Sequence, residues 1–148
     1  MVELHGNIGR VKCSREGTVV EHWDCAGDEV PRCASCGALL RPDVVWFEEM
    51  LPPDALAAAE AMARRCDLML VVGTSAEVYP AAALPSIAKA SGALVIEINP
   101  NATALSPTAD YALRGPAGRV LPALVQEAWP DTPPSPITPG DRSCPPRT

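Results

Sequence analysis

Asp67-Leu-Met-Leu-Val-Val-Gly-Thr-Ser75 is the stretch whose reading decides the fold. A short, unbroken apolar run ending in Gly-Thr-Ser is the pattern of a strand buried on both faces, as in a parallel sheet. Upstream, Pro52-Pro53-Asp54 opens an Ala-rich helix running to about Arg65. Proline is tolerated in a first helical turn, and an acid suits that end of the helix dipole. Downstream, the pattern predicts a helix over about 81–90 and a second buried strand, Ala93-Leu-Val-Ile-Glu-Ile-Asn99. A third strand at Tyr111-Ala-Leu-Arg114 and a last helix over 117–129 follow. Helices and strands alternating through short connections predict an α/β fold with a parallel sheet.

Composition narrows the setting. The chain has 148 residues, 47% of them hydrophobic, and a formal net charge of −6. No apolar run approaches the roughly 18–20 residues that span a bilayer. The opening residues, Met-Val-Glu-Leu-His-Gly, carry neither the basic nor the apolar region of a secretory signal. An acidic balance without a Lys/Arg cluster argues against a nucleic-acid partner, whose phosphates need neutralising. Residues 130–148 hold 7 of the 17 prolines and almost no apolar side chains. Such a segment cannot offset its ordering entropy by burial, so it reads as a disordered tail. The foldable part is then 1–129, with a small cysteine module over 10–42 and the α/β part over 43–129.

The module over 10–42 carries four of the six cysteines, several turn formers and no long periodic stretch, which predicts a loop-rich, zinc-ribbon-like unit. Cys33-Ala-Ser-Cys36-Gly37 has the spacing that sets two thiolates on one tetrahedral metal. Cys13-Ser-Arg-Glu16-Gly17 resembles its partner half, with Glu16 where a second cysteine would stand. Cys13, Cys33 and Cys36 are thus candidate structural zinc ligands. The fourth is open between Cys25 and Glu16, with His22 weaker. A metal-free module and a redox C-x-x-C are the competing readings. Cys66 reads as a packed thiol and Cys144 as an exposed one in the tail. Unpaired cysteines of this kind suit a reducing cytoplasm better than a disulfide scaffold.

In an open parallel sheet, ligands bind at the carboxyl ends of the strands. Gly73-Thr74-Ser75 and Asn99-Pro100-Asn101 fall there. Glycine admits a ligand close to the backbone, and hydroxyl and N–H groups can hold phosphate or ribose oxygens. Neither cluster is specific alone, and no G-x-G-x-x-G or P-loop is present. His5, beside Gly6, reads alone as a turn residue rather than a catalyst.

Taken in order, the pieces resemble one family. Glu-Leu-His-Gly-Asn, the C-x-x-C half, Leu-Arg-Pro-Asp-Val-Val-Trp-Phe, Val-Val-Gly-Thr-Ser-Ala-Glu-Val-Tyr-Pro, Glu-Ile-Asn-Pro and Leu-Arg-Gly-Pro-Ala-Gly succeed one another. Over nearly all of 3–129 this strongly resembles the C-terminal half of a sirtuin, an NAD-dependent protein lysine deacylase, most of all the bacterial desuccinylase-like branch. The resemblance implies a partial Rossmann-like sheet, NAD as cofactor, a structural zinc and acyl-lysine proteins as substrates. It matches His5 to the catalytic histidine, the general base on a ribose hydroxyl once the acyl-lysine oxygen has displaced nicotinamide. An imidazole titrating near neutrality suits that task. It matches Gly73, Thr74, Ser75, Asn99, Asn101 and Ala117 to cofactor contacts. Val45, Trp46 and Phe47, with Val78 and Tyr79, match the segments that clamp substrate peptide as an added strand. Cys13, Cys33 and Cys36 match three of four zinc ligands.

Two departures accompany the match: Glu16 replaces the second zinc cysteine, and Glu48 stands where the family has the Gly of Phe-Gly-Glu. Glutamate resists backbone geometry that glycine accepts. The family's Gly-Ala-Gly-Ile-Ser cofactor loop and Asn-Ile-Asp nicotinamide segment have no counterpart in these residues. The expectation is a truncated deacylase that alone neither deacylates lysine nor binds NAD tightly. The alternative is a non-catalytic sirtuin remnant acting as a binding fragment.

Overall fold

A computed structural model describes residues 1–23 and 29–131. The chain forms two compact units, one containing Met1–Ala55 and the other beginning at Leu56.

The first unit is more regular than its sequence predicts. β1 (Gly6–Cys13), β2 (Val19–Val20) and β3 (Leu40–Val44) form an antiparallel sheet in the order β2-β1-β3. Among the described residues of 10–42 strand covers only 10–13, 19–20 and 40–42, so the segment is loop-rich as expected, and the antiparallel sheet is an addition to that reading. The strand escaped notice because Gly-Asn-Ile-Gly-Arg-Val-Lys-Cys does not alternate apolar with polar, and its register with β3 shifts between Asn7 and Val11. Cys13, Cys33, Ala38 and Leu40 form the buried core, with Val11, Val20, Trp23 and Cys36 packed against it. On the other side Asp43 accepts from Arg10 at 2.8 Å and pairs with Lys12 at 3.3 Å.

The second unit follows the predicted alternation. α1 (Pro53–Ala63), which begins at the junction, leads into β4 (Leu68–Val72), and a 3₁₀ turn (Ala81–Ala83) runs into α2 (Leu84–Ala90). β5 (Leu94–Ile98), β6 (Tyr111–Leu113) and α3 (Ala117–Ala128) complete the order. The sheet is parallel, β4-β5-β6, with Met69 opposite Val95 and Val71 opposite Glu97.

One face of that sheet is covered and the other is largely bare. Ala63, Ala88 and Ala93 form one buried cluster, and Val71, Val95 and Leu105 another, with Met69 packed against both. Alanines of α1 and α2 meet in the first of these clusters. The opposite row stays in water: Leu68 is 48% exposed, Leu70 40% and Leu94 40%. The prediction that strand 67–75 is buried on both faces is therefore corrected, since α2 and the 99–110 segment cover only the Met69 face. α3 likewise is amphipathic in sequence yet buries none of its residues.

The most constrained group in the core is charged. Glu97 is 1% exposed in the middle of β5. Its carboxylate accepts hydrogen bonds from the hydroxyls of Thr103 and Ser106, and it pairs with Arg114 at 2.8 Å. Burial works to raise its pKa, but these three donors outweigh it and hold the group below the usual carboxylate range. An Arg114→Ala variant leaves that charge with two hydroxyl donors only. It should lose about 2–3 kcal/mol of stability, less than a fully buried pair because Arg114 is partly exposed. Urea denaturation checks this, and adding Glu97→Gln should restore part of the loss.

Candidate functional site

Three polar segments meet at the carboxyl ends of β4, β5 and β6. Gly73 ends β4 with φ of 64°, and its N–H donates to the Ile98 carbonyl at 3.0 Å. A Cβ at that position would have no atom within 4 Å, so the glycine serves the left-handed backbone and leaves open space above it. Thr74 and Ser75 are exposed, with Thr74 Oγ1 accepting the Ala76 N–H at 3.1 Å. Asn99 joins the next segment: its Nδ2 donates to the Thr74 carbonyl at 2.9 Å, while its Oδ1 accepts the Asn101 N–H at 3.1 Å. Both ends of the Asn99 amide thus clamp loops, leaving one amide hydrogen and one lone pair for a ligand. Arg114 donates to the Asn101 carbonyl at 2.8 Å. Ala117 opens α3 behind Pro116, which supplies no side-chain cap; the Arg119 and Val120 N–H groups bond the Pro116 carbonyl at 2.9 and 3.1 Å, and those of Ala117 and Gly118 begin the helix without a side-chain acceptor from the cap. The structure therefore brings Gly73, Thr74, Ser75, Asn99 and Asn101 into one rim, with Ala117 at the start of the helix that follows β6. Its hydroxyls, amides and free N–H groups suit a ligand carrying phosphate and ribose oxygens.

In the first unit, His5 is exposed immediately before β1. Its carbonyl accepts the Val45 N–H at 3.0 Å, tying the histidine to the segment that leaves β3. Gly6 makes this approach feasible: with φ of 76°, a Cβ there would lie 2.0 Å from the Asp43 carbonyl oxygen. Leu4 and His5 form a turn, as the sequence suggests, closed by the Gly6 N–H donating to the Glu3 carbonyl at 3.2 Å, and the glycine is also a packing necessity. Val45 is half-buried, whereas Trp46 is exposed and Phe47 is 91% exposed. The Arg41 guanidinium stacks over the Trp46 ring at 4.1 Å and grips Glu49 through two bonds of 2.5 and 2.7 Å. Glu48 sits between them with φ of 70°, the left-handed conformation in which glycine would be unstrained. Val78 and Tyr79, in the second unit, are both exposed.

The thiols converge as well. Ligand atoms of Cys13, Glu16, Cys33 and Cys36 all lie within 4.8 Å of one another, and Cys13 Sγ is 3.4 Å from Cys36 Sγ. Cys13 and Cys33 are buried, Cys36 is half-buried and Glu16 is exposed. The N–H groups of Cys36 and Ser35 draw the Cys33 thiol below its ordinary pKa. The Ala38 N–H acts in the same sense on Cys36, but its thiol neighbours and burial prevail and push it up to about 11. Cys33 is thereby the easier of these two thiols to ionise. Cys25, the rival fourth ligand, lies outside the described residues, as do Cys144 and nearly all of the predicted tail. His22 is exposed, and Cys66 packs against the alanine cluster as expected.

A family model described as "Sir2 family" matches residues 1–80, more than half of the chain. The chain belongs to the Sir2 family. It is 53% identical over 135 residues to an NAD-dependent protein deacylase of Pyrococcus furiosus, covering 86% of this chain and 53% of that protein. Among solved structures, a Sir2 homologue–NAD complex superposes with a TM-score of 0.80 at 48% identity, covering 85% of this chain and 50% of that one. A Sir2 protein bound to acetylated peptide superposes with a TM-score of 0.77 at 34% identity, covering 86% and 55%. The chain thus spans about half the length of the curated sirtuins it matches. Among the described residues no helix is long and apolar enough to cross a membrane.

Two clusters, one in each unit, carry no clear signal in the sequence. Glu97 and Arg114 brace the rim from below, and the one available signal was a lone acid inside an apolar strand, which must find a partner. The Arg41–Trp46–Glu49 cluster had no periodic signature, because its members meet across a turn. Arg41, with the Trp46 N–H, lowers the Glu49 pKa to about 2. A folded pKa below the unfolded one stabilises the fold fully above the unfolded value of about 4.5, and that contribution is lost as pH falls towards 2. Carboxyl-carbon NMR should place the Glu49 midpoint near 2, and Arg41→Gln should return it towards 4.5.

Proposed function

We propose that this chain contributes to an NAD-dependent protein lysine deacylase, transferring an acyl group from lysine to ADP-ribose with release of nicotinamide. The observation that carries the reading is the rim at the ends of β4, β5 and β6, where Gly73, Thr74, Ser75, Asn99 and Asn101 converge beside open space. NAD would supply the electrophilic ribose carbon and the leaving nicotinamide. Gly73, Thr74 and Ser75 would hold its phosphate and ribose oxygens, Asn99 and Asn101 the adenosine ribose, and Ala117 the adenine side through its backbone. The Ala117 and Gly118 N–H groups at the start of α3 add favourable dipoles.

His5 would act as general base, taking a proton from a ribose hydroxyl through its imidazole. Its backbone bond to Val45 supports this role, because it fixes the histidine beside the segment assigned to substrate. Val45, Trp46 and Phe47, together with Val78 and Tyr79, would receive acyl-lysine peptide as an added strand. Cys13, Cys33 and Cys36 would hold a structural zinc that fixes β1 against β3. The setting that suits such thiols is the cytoplasm, with neither nucleic acid nor membrane as partner.

The division of labour is residues 1–129 as part of a catalytic domain, with 10–42 as the metal module, 43–129 as the Rossmann-like part and 130–148 as an unstructured tail. The curated relatives have about as much chain again outside the matched region. The remaining cofactor contacts would come from a segment equivalent to that half. The chain by itself should therefore bind NAD only at millimolar concentration or weaker. Calorimetry tests this, and submillimolar affinity would overturn it. In a parallel NMR titration with ADP-ribose, amide shifts should cluster at Gly73, Thr74, Ser75, Asn99, Asn101 and Ala117. Shifts confined to other residues would sink the assignment of the rim.

A further inference from the structure

The two turns that carry the thiols are built alike. In residues 13–17 the Gly17 N–H donates to the Cys13 carbonyl at 2.9 Å, Gly17 has φ of 70°, and the Cys13 N–H donates to the Thr18 carbonyl at 2.9 Å. In residues 33–37 the Gly37 N–H donates to the Cys33 carbonyl at 2.8 Å, Gly37 has φ of 71°, and the Cys33 N–H donates to the Ala38 carbonyl at 2.7 Å. Each is a knuckle whose first cysteine starts the turn, whose glycine closes it in the left-handed region, and whose second ligand position lies just before that glycine. Cys36 occupies that position in one knuckle and Glu16 occupies it in the other.

We infer that Glu16 is the fourth metal ligand, giving a Cys3Glu site rather than a four-thiolate one. This rests on the reading of Cys13, Cys33 and Cys36 as metal ligands. A tetrahedral site with metal–sulfur bonds of about 2.3 Å has ligand-to-ligand edges of about 3.8 Å for sulfur pairs and about 3.5 Å for sulfur–oxygen. Every pairwise separation in the cluster is within 4.8 Å, and Cys13 and Cys36 sit at 3.4 Å, slightly inside the sulfur–sulfur edge, so small side-chain adjustments reach these values. The Glu16 N–H also donates to Cys13 Sγ at 3.4 Å, which anchors the start of its side chain at the cluster. The chemistry of the site follows from the exchange. A carboxylate is a harder, less covalent donor than thiolate, and Glu16 is the exposed member of the set. Metal is thus held at three well-buried or half-buried sulfurs and reached through the carboxylate side, so it exchanges more readily than from four thiolates.

Cobalt(II) substitution of the full-length chain under reducing conditions tests this, because thiolate-to-cobalt charge-transfer intensity scales with the number of cobalt–sulfur bonds. Cys25→Ala should leave the intensity and the zinc affinity, measured against a competing chelator, unchanged. Glu16→Ala should leave the intensity unchanged but weaken zinc affinity at least about tenfold. Glu16→Cys should raise the intensity by about a third, the step from three thiolates to four, and slow zinc release. Intensity lost in Cys25→Ala, or affinity unmoved in Glu16→Ala, would overturn the role of Glu16 while leaving the three-thiolate site standing. Absence of any stoichiometric charge-transfer band would overturn both.

Discussion

A carboxylate taken out of water must be matched by donors, and Glu97 shows how much of a unit can be arranged around meeting that demand. Its donors come from two directions: Thr103 and Ser106 from the segment that follows β5, and Arg114 from the end of β6. Arg114 then reaches the Asn101 carbonyl and the Ser106 hydroxyl. Asn101 in turn rests on the Asn99 side chain, and Asn99 on the Thr74 carbonyl. One buried charge therefore fixes the path of residues 99–106, the end of β6 and the approach of the Gly73 loop. The rim assigned to the nucleotide is the upper surface of a network whose base is electrostatic.

The parallel half of the fold was legible because each of its elements carries a local signal. An unbroken apolar run, a Gly-Thr-Ser stop and an Ala-rich helix opened by proline all point the same way. The antiparallel sheet was hidden because β1 holds two glycines, an asparagine and two cations in eight residues, so its pairing comes from β3 and from the cysteine core. The rim residues were readable from strand ends, but the reason they hold position was not, since Glu97 and Arg114 are 17 positions apart and linked only by folding. His5 is a similar case. The adjacent glycine suggested a turn, and Leu4-His5 is one, while the absence of a Cβ beside Asp43 also lets the histidine lie against Val45.

Glu16 and Glu48, the two departures from the sirtuin motifs that the sequence resembles, differ in physical kind. Glu48 keeps the left-handed backbone that a glycine would adopt without strain, so the segment's shape is held by its neighbours, chiefly the Arg41 bridge between Trp46 and Glu49. Glu16 keeps the knuckle itself, glycine closure included, and changes only the donor it offers. In one case the side chain changes and the main chain bears the cost. In the other the main chain is undisturbed and the chemistry changes.

The thiol cluster also acts on the alignment of the first sheet. Cys13 is the last residue of β1, stands opposite Leu40 and has its sulfur in the core beside Cys33 and Cys36. Strands slip by single residues, and each such slip sends every side chain to the other face. β1 has few apolar residues, so the cysteine core and the Asp43 pairs with Arg10 and Lys12 carry much of the resistance to sliding. A slip would carry the Cys13 sulfur out of the cluster and the Asp43 carboxylate away from Arg10 and Lys12. The cysteines thus serve as a ratchet pawl on the sheet, setting which residue of β1 faces which residue of β3, and with it how far along the strand His5 emerges.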